Sequence, residues 1–106
     1  MRIAVVTKHF ERVFGHPGRA RRFLVFEAEP GAEPVAVERL ELAKEDILHE
    51  YHGRSNPHPV EAMDVLITAS CGDGFVHRMA RSGVKVVTTE ETDPLTAVRA
   101  FLADAA

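Results

Sequence analysis

Cysteine is the scarcest reactive residue of this chain: one thiol, Cys71, stands among 106 residues. A single cysteine excludes an intramolecular disulfide framework, the usual support of small secreted domains. We therefore expect a reducing compartment, the cytoplasm in particular.

Long hydrophobic runs are absent as well. The longest cover five or six residues, and the N-terminal MRIAVV has neither the extended apolar region nor the cleavage site of a signal peptide. We expect no membrane span and no membrane partner. The formal net charge of −3 also argues against nonspecific nucleic-acid binding, which requires a broad basic surface.

The common catalytic motifs are missing too. The sequence contains no Walker loop, no G-x-G-x-x-G and no G-x-S-x-G. Cys71 and Arg78 are seven positions apart, one more than a tyrosine-phosphatase loop requires. A magnesium nuclease needs several carboxylates on its central strands, and the first apolar run has none. An enzyme is the least favoured class, with a thiol enzyme or hydrolase centred on Cys71 as its remaining form.

Short apolar runs predict the strands. Residues 3–7 and 65–69 read as strands buried on both faces, as in an α/β sheet. Residues 23–26 and 34–42, joined by a Pro/Gly turn, predict an antiparallel hairpin. Its second strand moves its apolar side chains from odd to even positions, which predicts a bulge or strand end near Glu38.

Helical spacing predicts the remaining elements. A short helix is expected within 43–51 and a helical turn at 60–63. Phe75, Val76, Met79 and Ala80 predict a helix that Asp73 caps and Gly83 ends. A strand at 84–87 follows, and Asp93 and Pro94 start a last helix. The result is a single α/β domain with a mixed five-stranded sheet, an antiparallel hairpin and two to three helices.

The first strand and the strand at 65–69 are expected to be neighbours at the centre of the sheet. Their carboxyl ends, where open α/β sheets bind ligands, would bring the loop at 8–19 beside the loop at 70–74. We therefore expect one crevice between these two loops.

The side chains around this crevice include soft and cationic groups. Cys71, at the start of a helix, is expected to have a lowered pKa and to suit iron-sulfur or copper centres. Imidazoles are general transition-metal ligands. His16 and His77 border the crevice, although an exposed helix position explains His77 equally well. His49, His52 and His58 lie in one polar segment, where a solvated loop explains His49 and His52 more simply. Arg19 could bind an anion, as could the amides of Gly72 and Gly74.

One known family shares these features in the same order. The phrase GHPGRARRFLVFEAE, followed by HPVEAMDVLITASCGDGFVHRMARSGVKVV and an acidic segment before the last helix, resembles the dinitrogenase iron-molybdenum cofactor biosynthesis family. That family comprises small NifX-like proteins and a domain attached to the cofactor-assembly enzyme NifB. Its strongest shared phrase is formed here by His16, Gly18, Arg19 and Ala20. Pro17 replaces a phenylalanine found in many members, and Ser-Cys-Gly replaces a glycine-rich run.

The resemblance implies a ribonuclease-H-like fold and the binding of metal clusters. We accordingly expect a noncatalytic carrier of an iron-sulfur or iron-molybdenum-type cluster, with cofactor-assembly or acceptor proteins as partners. The alternative is a small-ligand or protein-interaction module that uses the fold without metal. The expected metal ligands are Cys71 and His16, supplemented by His77 or His58, and the expected cofactor-binding residues are His16, Gly18, Arg19, Cys71, Gly72 and Gly74.

Overall fold

The computed structural model describes residues 1–29, 31–48 and 58–105, with side chains as far as residue 104. Its strands are β1 (Arg2–Lys8), β2 (Arg12–Val13), β3 (Arg22–Glu27), β4 (Val35–Glu41), β5 (Val65–Thr68) and β6 (Lys85–Thr88). The helices are α1 (Asp73–Arg81) and α2 (Pro94–Ala105). No helix in these ranges is long and apolar enough to cross a membrane.

The sheet is mixed, with the order β4-β3-β1-β5-β6 and the short β2 paired to β1. β1 runs antiparallel to β3 and parallel to β5, and β5 runs parallel to β6. The predicted hairpin, the central pair of strands and the parallel unit around α1 are therefore confirmed. The carboxyl ends of β1 and β5 point to the same edge of the sheet.

Burial on both faces explains the unbroken apolar runs. Along β1, alternate side chains enter two different cores, because successive residues of a strand point to opposite faces. Ala4 and Val6 pack in the core that includes Met79 of α1. Ile3 and Val5 pack in the core that includes Val98 of α2. The sheet is thus covered by one helix on each face.

A bulge lies in β4 where the apolar pattern changes parity. Val25 pairs with Glu38 and Phe26 with Ala36, so Val37 is the extra residue. The bulge predicted near Glu38 is confirmed. β4 is an edge strand, and Val37 remains 48% exposed.

The helix ends agree with the sequence in part. Asp93 caps α2 as predicted, since its Oδ2 accepts a hydrogen bond from the Thr96 amide at 2.9 Å. The cap predicted for α1 is wrong: Gly72 is the N-cap residue, no side chain caps it, and Asp73 is already helical. Gly83 follows α1 with φ +80°, a left-handed conformation that glycine adopts without strain.

Two segments differ from expectation. The loop at 8–19 contains β2, which pairs with the end of β1 after a tight turn with His9 and Phe10 both at positive φ. The helix expected within 43–51 is a 3₁₀ turn at Lys44–Asp46, and the rest of that range from residue 49 on lies outside the described residues. The turn expected at 60–63 is a 3₁₀ turn over Pro59–Ala62.

Candidate functional site

A cavity of about 400 Å³ lies between the two loops that follow β2 and β5. It opens at the carboxyl ends of the central strands, as the sequence predicted for the crevice. All six residues expected to bind a cofactor line it, and three further residues join them. The lining consists of His16, Pro17, Gly18, Arg19, Cys71, Gly72, Gly74, Phe75 and Arg78.

Hydrogen bonds hold the two loops together beneath this cavity. The Ala69 amide donates to the Phe14 carbonyl at 3.0 Å. The buried Thr68 hydroxyl lies 3.2 Å from the same carbonyl and 3.0 Å from the Ser70 carbonyl. A β carbon on Gly15 would come within 2.5 Å of the Ser70 Oγ, so the loops approach most closely there. This packing fixes the position of His16 relative to Cys71.

His16 adopts a left-handed backbone conformation with φ +55°, which histidine tolerates better than most non-glycine residues. Its carbonyl accepts a hydrogen bond from the Arg19 amide at 3.0 Å. Its ring meets the Phe14 ring edge-on, with the centroids 6.2 Å apart. The tight turn thus presents the imidazole and the Arg19 side chain on the same rim.

Cys71 is half-buried at the opposite side of the cavity. Burial raises the pKa of its thiol, and the nearby Asp73 carboxylate raises that pKa further. The expected lowering of the Cys71 pKa is therefore wrong. The first turn of α1 contains an acidic side chain whose charge opposes thiolate formation, so the protonated thiol is favoured.

The positive groups of the cavity come from both loops and from α1. Arg19 is exposed on the rim. Arg78 uses Nη1 to donate to the Leu48 carbonyl at 2.9 Å, and this bond occupies one of the five N–H donors of its guanidinium. The first amides of α1, near Gly72 and Gly74, have no acceptor within the helix. These donors favour an anionic ligand.

The structure does not bring every candidate histidine to the cavity. His77 is exposed on α1 and does not belong to the lining. His58 is fully buried elsewhere: its Nε2 donates to the Asp46 carbonyl at 2.7 Å, and its Nδ1 accepts from the Val60 amide at 3.1 Å. Burial lowers the pKa of His58. Because backbone groups engage both ring nitrogens, His58 has a structural role and we withdraw it as a ligand.

His49 and His52 lie outside the described residues. Within the described ranges, no three His, Cys, Asp or Glu side chains converge in a way that could hold a metal ion. The cavity therefore offers two soft ligands, Cys71 and His16, beside two guanidinium groups. The guanidinium groups favour an anionic ligand over a bare cation.

Sequence reasoning missed Arg78 and Phe75 as lining residues. Arg78 is four positions after Gly74, and residues at that spacing share one face of a helix. The helical pattern around residues 75–80 therefore contained the information. The sequence analysis had considered Arg78 only for its spacing from Cys71.

Comparison with known proteins adds the following relationships. The family profile described as dinitrogenase iron-molybdenum cofactor matches residues 1–104. The crystal structure of a protein designated PH0822 is 19% identical, with a TM-score of 0.72, and the alignment covers 98% of this chain and 91% of that one. The NMR structure of a candidate NifB protein from Thermotoga is 27% identical, with a TM-score of 0.60, and the alignment covers 94% and 85%. No curated protein matches significantly.

Proposed function

The chain belongs to the dinitrogenase iron-molybdenum cofactor family, and on that premise we propose that it binds and carries an iron-sulfur or iron-molybdenum-type cluster during cofactor biosynthesis. The cluster is cargo, and the chain does not transform it. The observation that carries this proposal is the cavity in which Cys71, His16, Arg19 and Arg78 meet.

The chemistry of each group suits an anionic cluster. A cysteine thiolate and an imidazole are both established ligands of iron in clusters. Guanidinium groups bind anions through a fixed arrangement of donors. Amides at the start of a helix favour negative charge because the helix dipole is positive there. Cys71 and His16 would therefore bind iron, while Arg19, Arg78 and the amides of α1 would contact sulfide.

An open cavity suits transient binding, because the cargo and the partner proteins can reach its ligands from solvent. The donor and the recipient would be cofactor-assembly and acceptor proteins of the same biosynthesis, and the single cysteine favours a reducing compartment such as the cytoplasm.

The carboxylates near the central strands support a noncatalytic role. The Asp64 Oδ2 accepts a hydrogen bond from the Arg2 amide at 2.8 Å, which engages it in the start of the sheet. Asp73 is exposed in the first turn of α1. β1 and β5 contain no carboxylate, so the paired acids of a magnesium-dependent nuclease are not formed on them.

The test is anaerobic incubation with a preformed iron-sulfur cofactor, followed by desalting and analysis of iron and sulfide. We expect stoichiometric retention by the wild type and a loss of at least tenfold in affinity for Cys71→Ser, since one metal ligand is removed. His16→Asn should show a similar loss, because asparagine keeps the left-handed backbone but lacks the imidazole.

The matched control is His77→Asn, which removes an imidazole outside the cavity. It should retain the wild-type amount of iron. Equal retention by all variants would contradict the proposed ligands. A folded wild type that retains no iron would contradict carriage and would favour the alternative, a small-ligand or protein-interaction module, for which a cavity of about 400 Å³ is also large enough.

A further inference from the structure

In the described part of the chain, the cavity offers fewer metal ligands than a cluster normally requires. The sequence contains one cysteine, so a single chain cannot supply a second thiolate. Within the described ranges, no third His, Cys, Asp or Glu converges with other such side chains to form a metal site. Stable iron-sulfur sites usually have four protein ligands, and the cavity provides Cys71 and His16.

We propose that the cluster is held between two copies of this chain, each of which supplies Cys71 and His16. This inference rests on the proposed function. Two copies related by a two-fold axis provide two thiolates and two imidazoles, which complete a four-ligand set. Each Cys71 sulfur replaces a terminal thiolate on an iron of the preformed cluster, and the displaced thiolate takes the thiol proton, so no oxidation state changes.

The surface around the cavity allows a second copy to approach. Gly72 and Gly74 present no side chains, and a β carbon on either would meet no atom within 4 Å. Phe14 is 40% exposed although its ring lies beside that of His16. It is one of four large apolar residues that are exposed in the described parts of the chain. A second copy over the cavity would remove this ring from water, which stabilises the pair.

Charge makes this association depend on the cargo. Residues 8–22 contain five lysines and arginines but one glutamate, in a chain whose net charge is −3. Glu41 is within 4 Å of both Arg21 and Arg22, whereas Arg19 faces the cavity. Two such rims repel each other when the space between them is empty. An anionic cluster between them replaces repulsion with attraction from both sides.

The experiment measures molar mass by size-exclusion chromatography with light scattering, before and after anaerobic loading with a preformed iron-sulfur cluster that carries small thiolate ligands. We expect a mass of 11.7 kDa for the unloaded chain and about twice that mass after loading, with one cluster for two chains. Cys71→Ser should stay monomeric and retain no cluster.

The possible results separate this inference from the proposed function. A loaded monomer with one cluster per chain would overturn the shared site but leave carriage intact. A dimer that forms equally without iron would overturn its dependence on the cargo. If neither form retains iron, both proposals fail.

A second pair of variants tests the contact while Cys71 and His16 are retained, and cluster content is measured in parallel because the Phe14 ring adjoins that of His16. Phe14→Ser should raise the dissociation constant of the loaded dimer about tenfold, because the ring no longer leaves water on association. Val35→Ser is the matched control, since Val35 is exposed on the edge strand β4 outside the cavity. An equal effect of both substitutions, or of neither, would contradict a contact at Phe14.

Discussion

A substitution of Gly74 should change stability and cluster binding in opposite directions, because nothing in the fold requires a glycine at this position. Gly74 is the second residue of α1, its φ is not in the left-handed region, and an added β carbon would meet no atom within 4 Å. Glycine in a helix costs about 0.5–1 kcal/mol relative to alanine. We therefore expect Gly74→Ala to raise the free energy of unfolding by about that amount.

For a domain of this size, the gain corresponds to an increase in Tm of about 2–6 °C, which thermal unfolding followed by circular dichroism can measure. Cluster retention should change in the opposite direction. Gly74 lines the cavity, so the added methyl group would occupy space that the cargo needs near the amides of α1. A more stable protein with lower affinity for the cluster is the expected result.

Gly83→Ala is the matched control for this prediction. Gly83 has φ +80°, and a left-handed conformation costs an alanine about 1–2 kcal/mol. We expect this variant to lose stability while keeping its affinity for the cluster. The reasoning would be refuted if Gly74→Ala destabilised the fold, or if it left cluster retention unchanged.

Three further predictions concern the supports of the fold. Thr68→Val should lower the free energy of unfolding by about 1–2 kcal/mol in urea, because the buried hydroxyl that shares its proton between two carbonyls is lost. Thr88→Val, at an exposed position, should change it by less than about 0.5 kcal/mol. Burial lowers the pKa of His58 below 6.5, so its stabilising contribution is complete above that pH and decreases as the pH falls further. Between about pH 7.5 and 5.5, the free energy of unfolding measured in urea should fall less for His58→Gln than for the wild type. An equal fall in both proteins would contradict the assigned role of His58. Asp93→Ala should cost about 1 kcal/mol in urea unfolding, because it removes the N-cap that bonds to Thr96; no loss would show that water replaces the cap.

The sheet could be predicted because its strands carry regular hydrophobic patterns. The apolar side chains of β4 move from odd to even positions before Leu40, and this change predicted the bulge within one residue of its position at Val37. A strand can move its apolar side chains to the other face only by adding a residue or ending. β2 could not be predicted in this way. A strand of two residues has no periodicity, and it forms only because the end of β1 is available for pairing.

The candidate site could be predicted in its location but not in its electrostatics. The crevice followed from the parallel pairing of the central strands, which the topology of an α/β sheet dictates. The direction of the Cys71 pKa shift did not follow, because it depends on burial and on the distance to Asp73. The structural role of His58 could not be predicted from the sequence either. Its partner, the Asp46 carbonyl, is 12 positions away, and no local sequence pattern connects the two residues.

The bond between Thr68 and Phe14 also has implications for the order of folding. It joins residues 54 positions apart, and it can form only after β5 has docked against β1. During synthesis the half of the site that contains His16 leaves the ribosome well before the half that contains Cys71. An incomplete chain therefore displays an imidazole and several arginines without the thiol, so the cavity that we propose as a cluster site is complete only at the end of folding.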